Sequence, residues 1–160
     1  MTIRKATIAL AAAAAFIGSA AIAQDDILLT VTAPDGAEIA SYDMAALEAL
    51  GTETFETSTL WTDGVQSFTG VPLDVLLAEL GVTEGELKAQ AINDYAVAIP
   101  VSDAVDGGPM IAFLADGEPM SVRDKGPLWL IYPFDANEAY QTETIYSRSI
   151  WQLNRLQIVE

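Results

Sequence analysis

The sequence predicts an α+β fold: one domain in which a mixed sheet carries a few short helices. Two observations support this class. Short segments of alternating apolar and polar residues recur along the chain between turn residues, as β-strands do. Helical spacing of apolar residues occurs only in brief stretches between these segments. Residues 24–160 suffice for a single domain with its own core.

The strand predictions come from alternation and from the turns that bound it. Pro34-Asp35-Gly36 turns a first strand into a return strand, and Asp116-Gly117 is a hairpin signal farther along. Alternation after residue 52 places Thr57 and Trp61 on one face of a strand. The predicted strands span 27–33, 38–42, 52–61, 90–100 (one strand, or two joined at Asn93-Asp94), 111–115, 128–132 and 156–159.

Helices are predicted from caps and from apolar spacing. Asp43 is a suitable N-cap for the first helix, and Pro72 suits the first turn of the second. Thr83 and Glu86 have the spacing of a capping box. The predicted helices cover 44–50 and 72–80, with single turns at 83–86 and 102–105; residues 135–143 read as a polar loop.

The first 23 residues have the pattern of a secretory signal peptide. Arg4 and Lys5 precede an apolar run over residues 6–20, and Ala21-Ile22-Ala23 is an A-x-A cleavage site. The run is too short for a comfortable membrane span, and no later stretch is apolar enough for one. We therefore expect cleavage, export to a periplasm and a mature domain over residues 24–160. An uncleaved anchor is the alternative.

Charge is distributed very unevenly. All 23 acidic residues follow residue 23, against five basic ones, so the mature chain has a net charge of −18. Such a charge repels phosphate backbones and anionic lipid surfaces, which argues against a nucleic-acid partner. Two interpretations stay open: a solubilising surface, and a docking face for a basic partner or for cations.

The chain contains no cysteine and no histidine. This excludes disulfides, thiolate metal sites, cysteine nucleophiles, histidine-ligated zinc and a Ser-His-Asp triad. We therefore assign no catalytic residue and no metal ligand. Acidic loop residues leave calcium as an alternative, although their spacing does not fit an EF-hand. The candidates are Asp103, Asp106, Asp135 and Glu138.

A series of sequence landmarks occurs in order between Phe68 and Glu160. They are Phe68-Thr-Gly-Val-Pro-Leu73, Leu76-Leu77, Leu80-Gly81, Asp94-Tyr95, Leu114-Ala-Asp-Gly-Glu-Pro-Met120, Gly126-Pro-Leu-Trp-Leu-Ile-Tyr-Pro133, Trp151 and Ile158-Val159. In this order the chain resembles the molybdopterin-binding domain of the sulfite-oxidase family. The resemblance implies that fold, and oxidoreductase activity with molybdopterin held by a cysteine thiolate and by cations at the pterin phosphate.

The chain departs from the family pattern at the metal ligand. In the family the cysteine follows an acidic residue in a strand upstream of the Gly-Val-Pro-Leu segment. Here Glu56 is followed by Thr57, so Thr57 stands at the thiolate position. A neutral hydroxyl is a poor replacement, because oxygen is a harder ligand than thiolate sulfur. Ligation by oxygen remains the alternative.

A second departure concerns the cations. The family often has a histidine before the Gly-Pro-Leu segment, an arginine after it and a lysine before the closing tryptophan. Lys125 keeps one positive charge, whereas Trp129 and Ile150 replace the other two. Arg123 and Lys125 form the only basic cluster, which suits a small anion or a surface salt-bridge group.

Two further features complete the predicted site. Asp94-Tyr95 keeps part of the family's Asp-Gly-Tyr turn without its glycine. Aromatic residues near the site elements form either a stacking pocket for a flat or apolar ligand or part of the core. The candidate pocket residues are Thr57, Trp61, Asp94, Tyr95, Arg123, Lys125, Trp129 and Trp151.

We therefore expect a cofactor-free, non-catalytic module that binds a small ligand or a periplasmic or membrane protein. Retained molybdopterin is the alternative on the cofactor. Two alternatives stay open on function. One is a molybdopterin-dependent oxidoreductase of the sulfite-oxidase type with a non-cysteine ligand. The other is an accessory subunit of a membrane redox or sensor complex.

Overall fold

The strands divide into two five-stranded sheets. The structure, a computed structural model, describes residues 26–159, so the predicted signal peptide lies outside the described residues. In chain order the elements are β1 Leu29–Thr32, β2 Glu38–Tyr42, α1 Met44–Ala49, β3 Glu53–Ser58, β4 Val65–Pro72, α2 Leu73–Leu80, β5 Glu86–Ala91, β6 Ala96–Pro100, β7 Met110–Ala115, β8 Glu118–Pro119, β9 Trp129–Ile131, α3 Glu143–Arg148 and β10 Leu153–Val159. Single 3-10 turns lie at Val101–Asp103, Val122–Asp124 and Glu138–Tyr140.

The first sheet is mixed and has the order β2-β1-β10-β5-β6. β1 and β10 run parallel, while the other neighbours pair antiparallel. The first and last strands of the described residues are therefore neighbours in the interior of this sheet. Alternation is clear along β5, where Leu87, Ala89 and Ala91 are buried and Lys88 is exposed.

The second sheet is antiparallel and has the order β3-β4-β7-β8. β9 pairs with the first half of β7, and β8 pairs with its end. Because β4 occupies one edge of β7, β8 and β9 share the other. Separate contacts bring the β9 region to the β3–β4 turn: Trp61 packs against Trp129, and Asp135, after β9, bonds to Ser58 at the end of β3.

One hydrophobic cluster contains buried side chains from both sheets and from all three helices of the described residues. Leu87 and Leu156 reach it from the first sheet, and Phe68 and Leu130 reach it from the second. Leu76 covers it from α2, and all five side chains are fully buried. Burial of such side chains contributes about 1.5–3 kcal/mol each.

A short segment joins the two sheets, and we call residues 150–153 the seam segment. Leu130 donates to the carbonyl of Ile150 and Leu153 to that of Leu128, both at 2.9 Å. Trp151 forms an antiparallel bridge with Trp129. The chain then enters β10, so the seam segment pairs with the second sheet immediately before it joins the first.

The predicted α+β class is confirmed, and several elements match closely. β2 has the predicted bounds, and the Asp43 carboxylate accepts from the Ala46 N–H at 2.7 Å as the N-cap of α1. Gly81 ends α2 in the left-handed conformation, with φ of +70°. Residues 90–100 form part of two strands rather than one, with a turn at Asn93-Asp94.

Three local predictions are wrong. The capping box at Thr83 and Glu86 does not form, because Glu86 already pairs with Val159 and Pro100 in the first sheet. β3 ends at Ser58, so Trp61 lies in the following turn and not on a strand face with Thr57. The region predicted as a polar loop over residues 135–143 contains a 3-10 turn and is followed by α3, for which no helix was predicted.

No helix within residues 26–159 combines the length and the apolar character needed to cross a membrane.

Gly70 tests the close approach of β4 to β7. A Cβ at this position would overlap the carbonyl oxygen of Ile111, a backbone atom that cannot move aside. We expect Gly70→Ala to lower the free energy of unfolding by about 2 kcal/mol or more, measured by urea denaturation. Ser67→Ala in the same strand is the control, and equal stability of the two variants would contradict the prediction.

Candidate functional site

Trp61 is the centre of an aromatic cluster. It follows β3 in the turn toward β4 and is partly buried. Its ring meets those of Trp151, Trp129, Tyr146 and Phe134 edge to face, at centroid distances of 5.5, 5.9, 6.0 and 6.3 Å. These are favourable geometries for aromatic pairs, so the rings fix one another in place.

A pocket of about 430 Å³ opens on one side of Trp61, and we call it the aromatic pocket. Its volume lies in the range of small-molecule sites. None of the described residues that line it is charged, and Tyr95 and Trp151 are 52% and 38% exposed. The lining residues are Trp61, Ala91, Asn93, Tyr95, Tyr146, Ser147, Ser149, Ile150 and Trp151.

A second pocket of about 420 Å³ also includes Trp61, and we call it the charged pocket. Two basic side chains and three carboxylates line it. Its described lining residues are Trp61, Thr62, Asp63, Gln66, Ala115, Glu118, Pro119, Met120, Arg123, Asp124, Lys125 and Trp129. Because carboxylates outnumber basic side chains among these described residues, the charged pocket does not favour an anionic ligand.

Lys125 places its charge over two tryptophans. Its Nζ lies 5.5 Å from the ring centroid of Trp129 and 6.0 Å from that of Trp151. Both distances are within the range of cation–π attraction. The Lys125 carbonyl accepts from the Gln152 N–H at 2.9 Å, so the seam segment also positions the backbone of this lysine.

Trp129 belongs mainly to the core. It is 2% exposed, and its indole N–H donates to the Ser149 carbonyl at 3.1 Å. Its ring packs edge to face on Phe68 at 5.4 Å. Of the two interpretations for the aromatic residues, core packing describes Trp129, which has only a small surface at the charged pocket, whereas Trp61, Tyr95 and Trp151 line the aromatic pocket.

Thr57 is fully buried in β3 and lines neither of these pockets. Its hydroxyl donates to the Ser58 carbonyl at 3.2 Å and accepts from the Asp135 N–H at 3.1 Å. Both hydrogen-bonding functions of this hydroxyl are thus used within the protein.

The carboxylate of Asp135 adds two hydrogen bonds to the next residue of β3, Ser58. It accepts from the Ser58 N–H at 2.6 Å and from the Ser58 hydroxyl at 2.7 Å. These bonds, the backbone one first, hold the pKa of Asp135 below its usual range. The contact joins the end of β3 to the segment that follows β9.

Asp103 is held by a different pair of groups. It accepts from the Tyr132 hydroxyl at 2.8 Å and forms an ion pair with Arg148 at 2.7 Å. Burial, and then the bond to Asp103, raise the pKa of Tyr132. Within residues 26–159 no three acidic side chains are grouped as metal ligands, so the calcium alternative finds no support there.

Asp94 lies in the turn between β5 and β6 and lines neither pocket. Its φ of +66° is in the left-handed region that favours glycine, although aspartate tolerates this conformation. Its carboxylate accepts from the Gln90 amide at 2.8 Å. Asp94 thus provides a left-handed residue in this turn without a glycine, and the next residue, Tyr95, lines the aromatic pocket.

A family model described as the oxidoreductase molybdopterin binding domain matches residues 40–136, which is more than half of the chain. The chain belongs to this oxidoreductase molybdopterin-binding domain family. A search of curated proteins finds no match. The match to this family model confirms the resemblance inferred from the sequence landmarks. The matched segment includes Thr57, Lys125 and Trp129 but ends before α3 and the seam segment.

The structure separates the predicted site residues of this family member into three groups. Trp61, Tyr95 and Trp151 meet at the aromatic pocket. Arg123 and Lys125 lie in the charged pocket with Trp61 and Trp129. Thr57 and Asp94 are in neither of the two. Six lining residues of the aromatic pocket were not among the predicted site residues: Ala91, Asn93, Tyr146, Ser147, Ser149 and Ile150.

One available signal pointed to part of this missed wall. Thr142 caps α3 by accepting from the Ile145 N–H at 3.3 Å, with Glu143 in the first turn and Arg148 in the last. This is the charge and cap pattern of a helix. Recognising it would have placed Tyr146 on a short helix ahead of the closing tryptophan.

The described residues do not fit the family's cofactor. At the position that the resemblance assigns to the thiolate, the Thr57 hydroxyl is buried and used in two hydrogen bonds, so metal ligation would require rearranging them. At the charged pocket, two cations face three carboxylates, which is unfavourable for a phosphate. At position 129, where the resemblance implies an arginine, this chain has a buried indole, so no cation is present there.

Replacing the Thr57 hydroxyl tests its structural role. We expect Thr57→Val to lower the free energy of unfolding by about 1–3 kcal/mol, because the Asp135 N–H loses its acceptor. Urea denaturation measures the change. Thr54→Val is the matched control in the same strand, since the Thr54 hydroxyl is exposed and pairs only with that of Thr69. An equal loss in both variants would argue against this role.

The Ser58–Asp135 contact predicts a pH dependence. We expect Ser58→Ala to raise the pKa of Asp135 part of the way, because the backbone donor remains. A folded pKa below the unfolded value, about 3.9, stabilises the protein above that value. This stabilisation is lost as the pH falls through the folded pKa.

The stability difference between wild type and Ser58→Ala should therefore narrow on acidification. Carboxyl ¹³C NMR titration gives the pKa of Asp135, and denaturation at several pH values gives the stability. Ser58→Thr keeps a hydroxyl and serves as the control. An unchanged pKa of Asp135 in Ser58→Ala would show that the side-chain bond has no effect.

Proposed function

We propose that this family member is an exported, non-catalytic protein that binds a small ligand in the aromatic pocket and does not use molybdopterin. The observation that carries the proposal is Thr57. A buried hydroxyl with both hydrogen bonds made stands at the position that the resemblance assigns to the metal thiolate.

The second support is electrostatic. Of the three cations that the resemblance implies, Lys125 alone is kept, and it lies over two tryptophan rings. Ile150 is 3% exposed and is part of the wall of the aromatic pocket. Apolar surface has thus replaced positive charge where a phosphate is expected, and this favours an uncharged or cationic ligand.

Export is proposed because of the predicted signal peptide, and it determines the compartment in which the protein acts. In a periplasm, the protein collects its ligand from outside the cytoplasm and delivers it to, or reports it to, a periplasmic or membrane protein. The mature chain is strongly acidic, so a partner with a basic surface would be electrostatically complementary to it.

The proposal is tested by the metal content and intact mass of the mature protein purified from the periplasm of its own host. We expect less than about 0.1 molybdenum atom per chain and no pterin-sized adduct under native mass spectrometry. The intact mass should be that of a chain cleaved after residue 23. A family member that retains the cysteine, produced in the same cells, is the positive control.

Thr57→Cys makes the test sharper. This variant restores the thiol but not the cations, so we expect it to remain free of molybdenum. Stoichiometric molybdenum with a pterin-sized adduct in the wild-type protein would overturn the proposal in favour of oxygen ligation. Loading of Thr57→Cys alone would show that the thiol is the one missing feature and that the charged pocket still accepts the phosphate.

A further inference from the structure

We infer that the aromatic pocket recognises an organic cation without N–H donors, a quaternary ammonium group. This inference rests on the proposed ligand-binding function and adds the chemical class of the ligand. It depends on three features of the pocket: the angles between its rings, the absence of charge among its described lining residues, and the charge of the protein around it.

The angles between the rings favour a rounded head group over a flat one. Trp61 meets Trp151 at 73° and Tyr146 at 90°. A flat ligand is held best between parallel rings, whereas rings at right angles form adjoining walls. Tyr95 adds a fourth, half-exposed ring at the mouth. Several aromatic walls around one space are the arrangement by which proteins bind quaternary ammonium groups.

The lining decides between kinds of cation. A primary ammonium or a metal ion loses strong hydration on entry and needs carboxylates or several acceptors in return. None of the described lining residues is a carboxylate, and the Asn93 side-chain oxygen already accepts from the Tyr95 N–H at 3.2 Å. A quaternary ammonium has no N–H to satisfy and is weakly hydrated, so ring faces alone can hold it.

Charge around the pocket decides between a cation and a neutral or anionic ligand. The mature chain has 23 acidic residues against five basic ones, so its surroundings attract cations. Arg148 lies between two lining residues, but it is paired with Asp103 at 2.7 Å. Lys125 opposes the binding of a cation. It does not line the aromatic pocket, but its ammonium group lies over the ring of Trp151, which does.

An isosteric pair of probes separates charge from shape. We would titrate the mature protein by isothermal calorimetry with choline and with 3,3-dimethylbutan-1-ol, which replaces the charged nitrogen by carbon. We expect choline to bind at least about tenfold more tightly, and its affinity to fall as sodium chloride is raised. The affinity of the neutral alcohol should not respond to salt.

Two variants assign the effect to the pocket. Tyr95 is 52% exposed, so its replacement leaves the core intact. We expect Tyr95→Leu to weaken choline binding by about threefold to thirtyfold, while Tyr95→Phe retains it. Lys125→Gln should tighten choline binding and leave the alcohol unchanged, because only the cation is repelled. Thermal melts confirm that each variant is folded.

Equal affinities for the two probes would overturn the inference, since they would show an apolar pocket that ignores charge. Absence of binding by choline would overturn it as well. Neither result bears on molybdenum content, so the cofactor-free part of the proposed function stands or falls by its own measurement. Tight choline binding that Tyr95→Leu does not weaken would place the cation elsewhere and would equally refute the assigned site.

Discussion

The backbone pairing of the seam segment is the constraint on which the rest of the site depends. Residues 150–153 bond to the strand region around β9 on one side, and Ile92 donates to the Gln152 carbonyl at 3.0 Å on the other. This segment therefore fixes the second sheet against the β5–β6 turn of the first. Trp151 and Ile150 belong to it, and Lys125 is bonded to it, so both pockets take their shape from one stretch of main chain.

Trp129, at a position where the resemblance implies an arginine, is packed on all sides that the structure describes. Trp129 packs on Phe68 and Trp61, and its N–H is bonded to the Ser149 carbonyl. An arginine at this position would bury a guanidinium among rings, at the cost of an unpaired charge. The neighbours are thus adapted to an indole. The positions that the resemblance assigns to the thiol and to the cations therefore lie in two separate packed regions, and a single substitution cannot supply both groups.

Features set by local chemistry were the ones predictable from sequence. The Asp43 cap, the Gly81 stop and the strand over residues 38–42 depend on nearby residues, and they form as expected. The capping box at Thr83 fails because pairing across the first sheet claims Glu86. The landmark order predicted the family and several pocket residues. Tyr146 was missed because α3 spans six residues and buries only Ile145, too little for an apolar stripe.

The clustering of indoles has an optical consequence. The chain has three tryptophans, and Trp61 lies within 6 Å, centroid to centroid, of both Trp129 and Trp151. Excited states of rings so close are coupled and exchange energy faster than they emit. The ultraviolet emission of this protein therefore originates from one place, the wall between the two pockets, and its near-ultraviolet circular dichroism carries the signature of that ring geometry. Tryptophan fluorescence and near-ultraviolet circular dichroism are therefore intrinsic probes of the candidate site.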